Sequence, residues 1–322
     1  MDLDITIHRG EVNKPVVIFI HGLGMDKNFW LDPLETKVFA KNIPMKVLAT
    51  THPGPYSTPE RKKLNIGDTP KKINNLWIAL RDRGYHLICW SQRRPVGPIN
   101  AAVEELEEIF NLTRKMYPDT SIALVCHSRG GLIARKFMEK KQRKIKALIT
   151  LSTPHNGSSL PRLIRYVSPI SAFLKNLLPK SSHGTVSEII KSMNDFLESK
   201  GLKELLPGSE FFKNLKDSPS RGIAYLSFGG RKTKLLTVSK WKKKDVKMYP
   251  VPLFTIPDSL IKILPPSIIP DEVIPGRGDF MVTAKSSVLP WAEEHHDVNA
   301  NHITITWNRK VITRVVEILE GI

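Results

Sequence analysis

A serine hydroxyl becomes a useful nucleophile when a histidine can take its proton and a carboxylate orients that histidine. The serine best placed for this is Ser128, in His127-Ser128-Arg129-Gly130-Gly131. Before it, Ile122 to Cys126 is a short apolar run, as in a strand buried on both faces. After it, Leu132, Ile133, Phe137 and Met138 fall on one side of a helix. A strand that becomes a helix this abruptly must turn sharply, which thrusts one side chain out over a helix N-terminus. Gly130 and Gly131 remove the side chains that would obstruct the turn. The same residues also suit a serine N-cap followed by two glycines.

Downstream of Ser128 the histidines are His155, His183, His295, His296 and His302. His302 is favoured because it precedes the closing helix, in a loop able to return to the sheet edge. His155 follows its strand too closely to leave room for an acid before it. His295 and His296 read as part of an acidic, exposed loop, and His183 as part of an insertion. With the order serine, acid, histidine, the acid is expected at Asp279, flanked by Gly278 and an apolar run. Asp258, Asp271 and Asp297 are the other carboxylates considered. A further candidate lies upstream, where Val16 to Ile20 runs into His21-Gly22-Leu23-Gly24. A glycine on each side of Leu23 lets the backbone fold so that its N–H points into a cleft, as a donor to a developing oxyanion.

The elements that must hold these residues alternate from residue 14 to 151. Strands are expected at Val16–Ile20, Val47–Ala49, His86–Trp90, Ile122–Cys126 and Lys146–Leu151, with a short edge strand at Ile5–His8. Helices are expected after Thr69-Pro70, after Pro98 and after Ser128. This rhythm implies an α/β chain with a mostly parallel sheet and helices on both faces, its site at the carboxyl ends of the strands. The rhythm breaks after Ser158. Residues 1–158, 223–230 and 277–322 are assigned to the core. Residues 159–222 and 231–276 are assigned to a largely helical cap, with a capping box at Thr185 to Glu188 and an amphipathic stretch, Leu160 to Leu178. Asn308 and Gly321 bound the last helix.

The chain has 322 residues and a formal net charge of +18. No apolar run is long enough to span a bilayer, and the N-terminus lacks the basic region of a secretory signal, so a cytoplasmic protein is expected. The charge is read as a lysine-rich solvated surface, because no nucleic-acid-binding motif accompanies it. The two cysteines, Cys89 and Cys126, fall on strands separated by a third, too far apart for a disulfide. No His and Asp cluster has ligand spacing, and neither a metal nor a cofactor is expected.

Taken together, His21 to Gly24, Cys126 to Gly131, Ser152 to Ser158, Gly278-Asp279 and Asn301-His302 resemble the bacterial lipases and esterases of the α/β-hydrolase fold. The resemblance covers nearly the whole chain and is weakest in the cap. It implies carboxylic-ester hydrolysis by Ser128, Asp279 and His302, with the Leu23 and Arg129 backbone amides as the oxyanion hole. It also implies a small-molecule ester or lipid substrate, and contact of Leu160–Leu178 with a lipid surface. Cys126 departs from the family's usual glycine or alanine and narrows the turn. Two other readings stay open: an acyltransferase using the same three residues, and a non-catalytic protein binding through its basic surface.

Overall fold

Each central strand is apolar on both sides because each side of the sheet is covered. Val16, Ile18 and Ile20 pack into one buried cluster, while Val17 and Phe19, pointing the other way, pack into a second. This computed structural model describes residues 3–38, 43–44, 64–66, 73–140, 144–163, 191, 195–196, 198–244, 247–256, 258–261 and 265–322.

The longer strands among the described residues are β1 (Asp4–His8), β2 (Val16–Ile20), β3 (His86–Ser91), β4 (Ile122–His127), β5 (Ile145–Leu151), β6 (Ala224–Gly230), β7 (Leu236–Lys244), β8 (Lys247–Ile256) and β9 (Glu294–Val298). Among the described residues, seven of them form one sheet in the order β1-β3-β2-β4-β5-β6-β9. β1 is the antiparallel edge, pairing Asp4 with Ser91; the other neighbours are parallel. Its longer helices are α1 (Leu76–Arg81), α2 (Ile99–Met116), α3 (Arg129–Met138) and α4 (Arg309–Glu320). Leu106, Ile109 and Phe110 of α2 and Leu132, Ile133 and Phe137 of α3 fill the first cluster. Leu76, Trp77 and Leu80 of α1 and Val311, Val315 and Leu319 of α4 fill the second, where Phe19 lies 4.8 Å from the Trp30 ring and 5.3 Å from Trp77. The α/β architecture expected from the strand–helix rhythm is the one observed.

Three local readings change. The helix at Leu76 is capped by Asn75, which accepts from the Ile78 amide at 3.0 Å and donates to the Trp30 carbonyl at 2.5 Å; Thr69-Pro70 lies outside the described residues. His295 and His296 belong not to an exposed loop but to β9, paired with Ser227 and Phe228. β7 and β8 pair antiparallel, and the short strand Leu64–Ile66 pairs with β7. The reading of 231–276 as largely helical is therefore corrected: β-branched and apolar residues recur on both strands, as suits a pleated pair. Val47–Ala49, Thr185–Glu188, His183 and most of Leu160–Leu178 lie outside the described residues. Cys89 and Cys126 are buried and free, on β3 and β4 with β2 between them.

The crossing of β2 under α3 has no room for a methyl group at residue 130. A Cβ built on Gly130 overlaps the Ile20 carbonyl and comes within 3.0 Å of the His21 carbonyl oxygen. Gly130→Ala is expected to lose on the order of 3 kcal/mol of stability, read as a lowered urea midpoint; an unchanged midpoint would contradict this packing.

Candidate active site

The last ladder residue of β4 is His127, and α3 begins at Arg129. Ser128 alone makes the turn, at φ 52° and ψ −127°, a backbone region that costs a non-glycine residue energy. Its amide donates to the Leu151 carbonyl at 2.9 Å, and its own carbonyl accepts from Gly131 at 3.1 Å. The hydroxyl makes no capping bond to α3, so the plain N-cap reading does not describe this serine. Instead Oγ lies 2.9 Å from His302 Nε2.

His302 is held from several sides. Nδ1 lies 3.0 Å from Asp279 Oδ2, and the His302 amide donates to the Asp279 carbonyl at 3.0 Å. Asn301 Oδ1 accepts from the Ile303 and Thr304 amides, and its Nδ2 donates to the Lys234 carbonyl at 2.8 Å. His127 Nε2 donates to the His302 carbonyl at 2.7 Å. The His127 ring packs 4.4 Å from Phe29, stands edge-on to Trp30, and lies 4.7 Å from the His302 ring. These contacts fix the hydrogens: Nδ1–H donates to Asp279, leaving Nε2 to accept from the Ser128 hydroxyl.

Asp279 divides its two oxygens. Oδ1 accepts from the Met281 and Val282 amides at 3.0 and 2.8 Å, which leaves Oδ2 for His302. The tight turn puts Phe280 at φ 89°. Gly230, the last residue of β6, lets Asp279 lie flat on the strand end, since a Cβ there would meet Asp279 Cβ at 2.6 Å. The chain thus leaves β6 and returns to its end 49 residues later. Ser128, Asp279 and His302 are all buried.

Gly22 and Leu23 form the turn leaving β2. A Cβ on Gly22 would lie 3.1 Å from Ser128 Cβ, so this turn sits directly against the serine. Among the described residues, the Leu23 and Arg129 amides donate to no protein acceptor. Cys126, one pleat before His127, packs among Leu132, Ile133 and other core residues, and burial pushes its thiol well above the ordinary range.

The other candidates are engaged elsewhere. His155 pairs with Thr150 Oγ1 at 3.1 Å, and its carbonyl accepts from Arg135, whose guanidinium forms a buried ion pair with Asp217. His295 contacts Ser227 and Asp297, and His296 contacts Glu294. Asp297 and Asp271 pair with Arg231 and Arg277, and Asp258 is exposed at the start of a short helix. Sequence reasoning missed Asn301 as an anchor, the part of His127, and the Gly229-Gly230 strand end. A Gly-Gly pair closing an apolar run was the available signal for the last. Among the described residues, no group of three or more His, Cys, Asp and Glu could hold a metal ion, and no helix is long and apolar enough to cross a membrane.

A family profile described as alpha/beta hydrolase fold matches residues 15–178. The mature form of Bacillus licheniformis lipase BlEst2 is 16% identical at a TM-score of 0.52, covering 98% of this chain and 97% of that one. Its propeptide form is also 16% identical, at a TM-score of 0.51, with 98% of this chain and 53% of that one covered. A comparison with curated protein sequences returns no match.

His21, His127 and His155 are fully enclosed. Burial holds His21 at about 4 and the other two well below the ordinary imidazole range. The unfolded chain takes up these protons near pH 6.5 and the folded chain does not, so stability falls as pH drops from about 6.5 toward about 4. Each site adds up to about 1.4 kcal/mol per pH unit, and His21 alone about 3 kcal/mol by pH 4. Urea unfolding at pH 7, 6 and 5 checks this; a stability flat across that range would refute it.

Proposed function

The chain belongs to the alpha/beta hydrolase fold family, and on that premise we propose that it is a serine hydrolase that cleaves carboxylic esters bearing an acyl chain. The observation that carries this reading is the continuous hydrogen-bonded path from Ser128 Oγ through His302 to Asp279, at 2.9 and 3.0 Å. His302 Nε2 takes the hydroxyl proton as Ser128 Oγ attacks the ester carbonyl carbon. Asp279 holds the imidazole tautomer and stabilises the imidazolium that forms. The carbonyl oxygen, now an oxyanion, accepts from the Leu23 and Arg129 amides, each worth roughly 3–4 kcal/mol in the transition state. The tetrahedral intermediate collapses, and His302 returns the proton to the departing alkoxide. Water, deprotonated by the same imidazole, then attacks the acyl-enzyme and frees the acid and Ser128.

Residues 159–222 and 231–276 are proposed as the cover over this site. Support comes from the short helix Lys200–Lys203, whose Gly201 packs against Leu23 and the Arg129 guanidinium. Phe196, Leu202 and Leu205 join Leu23 in one apolar cluster. Apolar residues beside Leu23 suit an aliphatic acyl group better than a small polar acid. BlEst2, a lipase that shares this fold, agrees with an ester substrate.

Ser128→Ala is expected to abolish hydrolysis of a p-nitrophenyl ester while folding is retained, and Asp279→Asn to lower kcat by about 10³–10⁴-fold. Turnover by Ser128→Ala at the wild-type rate would overturn the reading. A series of p-nitrophenyl esters from acetate to laurate should show kcat/KM rising beyond acetate; a sharp optimum at acetate would remove the acyl-chain part alone.

A further inference from the structure

Arg129 presents its side chain to a place where a charge is costly. The residue is fully buried, and among the described residues the carboxylates acting on it, Glu204 and Glu105, do so at a distance rather than in an ion pair. Nη1 donates to the Gly97 carbonyl at 2.5 Å and Nη2 to Gln92 Oε1 at 2.5 Å, while Nε has no partner. The carboxylates that face it are Glu105 and Glu204, and both are occupied. Glu105 accepts from Trp90 Nε1 and the Arg93 amide, and Glu204 accepts from the Ile99 amide at the start of α2. Burial lowers the guanidinium to about 10, so it remains charged at neutral pH. A buried cation satisfied only by neutral acceptors is a poor device for stability, because an apolar side chain would avoid its desolvation cost.

What it reaches suggests another use. Gln92, whose Oε1 accepts from Arg129 Nη2, donates through Nε2 to the His21 carbonyl at 3.2 Å, and its backbone amide donates to His21 Nε2 at 3.1 Å. His21 Nδ1 in turn donates to the Gly22 carbonyl at 2.9 Å. From the other side, the Gly24 amide donates to the Pro95 carbonyl at 2.9 Å. Residues 21–24 are therefore tied at both ends to the 92–97 loop, and that loop is tied at both ends to one guanidinium. Gly201 closes the arrangement, since a Cβ there would meet Leu23 Cδ1 at 2.7 Å and Arg129 Nη1 at 2.8 Å.

We infer that the Arg129 side chain is a positioning residue for the oxyanion hole: through Gln92 and Gly97 it sets the Leu23 amide at a fixed distance from the amide of Arg129 itself. One residue then supplies one donor from its backbone and fixes the other through its side chain. The inference rests on the reading of those two amides as the oxyanion donors. A donor displaced by about 1 Å is enough to cost about 10²-fold in rate, so the spacing needs an anchor stiffer than a glycine turn. A guanidinium fork bonded to two acceptors on one loop provides it.

The test compares wild type with Arg129→Gln and Arg129→Lys, each titrated with a fluorophosphonate so that kcat for p-nitrophenyl butyrate is expressed per labelled serine. Arg129→Gln should lower kcat about 10²-fold with KM within about 3-fold. The affinity for a phenylboronic acid, which mimics the tetrahedral intermediate, should fall in parallel. Arg129→Lys, which keeps the charge but not the fork, should also fall short of wild type. A merely structural residue would lower the number of labelled serines and the melting temperature while leaving kcat per labelled site and boronate affinity unchanged, and that result overturns the inference. If Arg129→Gln does not fold, Gln92→Leu decides. It leaves the guanidinium in place but cuts its path to His21, so kcat per site reduced about 10-fold supports the inference and wild-type kcat overturns it. Failure of wild type to hydrolyse the ester, or hydrolysis by Ser128→Ala, would instead mark failure of the proposed function beneath it.

Discussion

A strand and a helix that meet at a single residue leave that residue no ordinary backbone conformation. Ser128 takes the strain, at φ 52°, and the surroundings are built to hold it there. Its amide is bonded to the Leu151 carbonyl on the neighbouring strand, and its carbonyl accepts from Gly131. Gly130 fits against the Ile20 carbonyl and Gly131 against Thr153, contacts that no larger residue could make. The sheet and α3 are thus pressed together closely enough that the serine side chain has one direction left, over the carboxyl edge. The apolar strands and the two helix layers serve this contact, because a looser core would let the turn relax.

Around that fixed point, the remaining groups arrive on elements that end at the same edge. β6 stops at Gly230, where Asp279 rests, and β9 stops at Val298, four residues before His302. The last two loops are tied to each other by the amide of His302 on the carbonyl of Asp279, and His302 is tied to the strand that ends at Ser128 by His127. Asp279 is held by its own turn, so its contact with His302 does not depend on side-chain freedom. The site consequently stands on backbone bonds between strand ends rather than on exposed ion pairs, which contribute little.

Much of this was legible in residue types. Val16–Ile20, Ile122–His127 and Ile145–Leu151 are recognisable because burial on both faces demands unbroken apolar runs. Ser128 with its two glycines is recognisable because a strand-to-helix turn has few chemical solutions. β9 was not legible: Glu294-His295-His296-Asp297 is polar because, among the described residues, it is the last strand of the sheet and pairs on one side only, with β6. The pairing of β7 with β8 was hidden for a related reason, since a lysine run and two prolines, Pro250 and Pro252, mask its alternation. The start of α1 was misplaced because a Thr-Pro cap is a local signal, whereas Asn75 caps the helix while also bonding Trp30 from 45 residues away.

By itself, the order of residues determined the layered α/β architecture, the turn that exposes Ser128, and the short set of histidines and carboxylates able to partner it. Those are properties of neighbours along the chain: hydrophobic period, glycine spacing and loop position. The tertiary structure alone decided which histidine faces Ser128, how Asp279 returns to the end of β6, and what the Arg129 side chain holds. Each depends on a distance between groups 23 to 174 residues apart. Such distances follow from strand order and register, which the pairing of backbones fixes only once the whole sheet has formed.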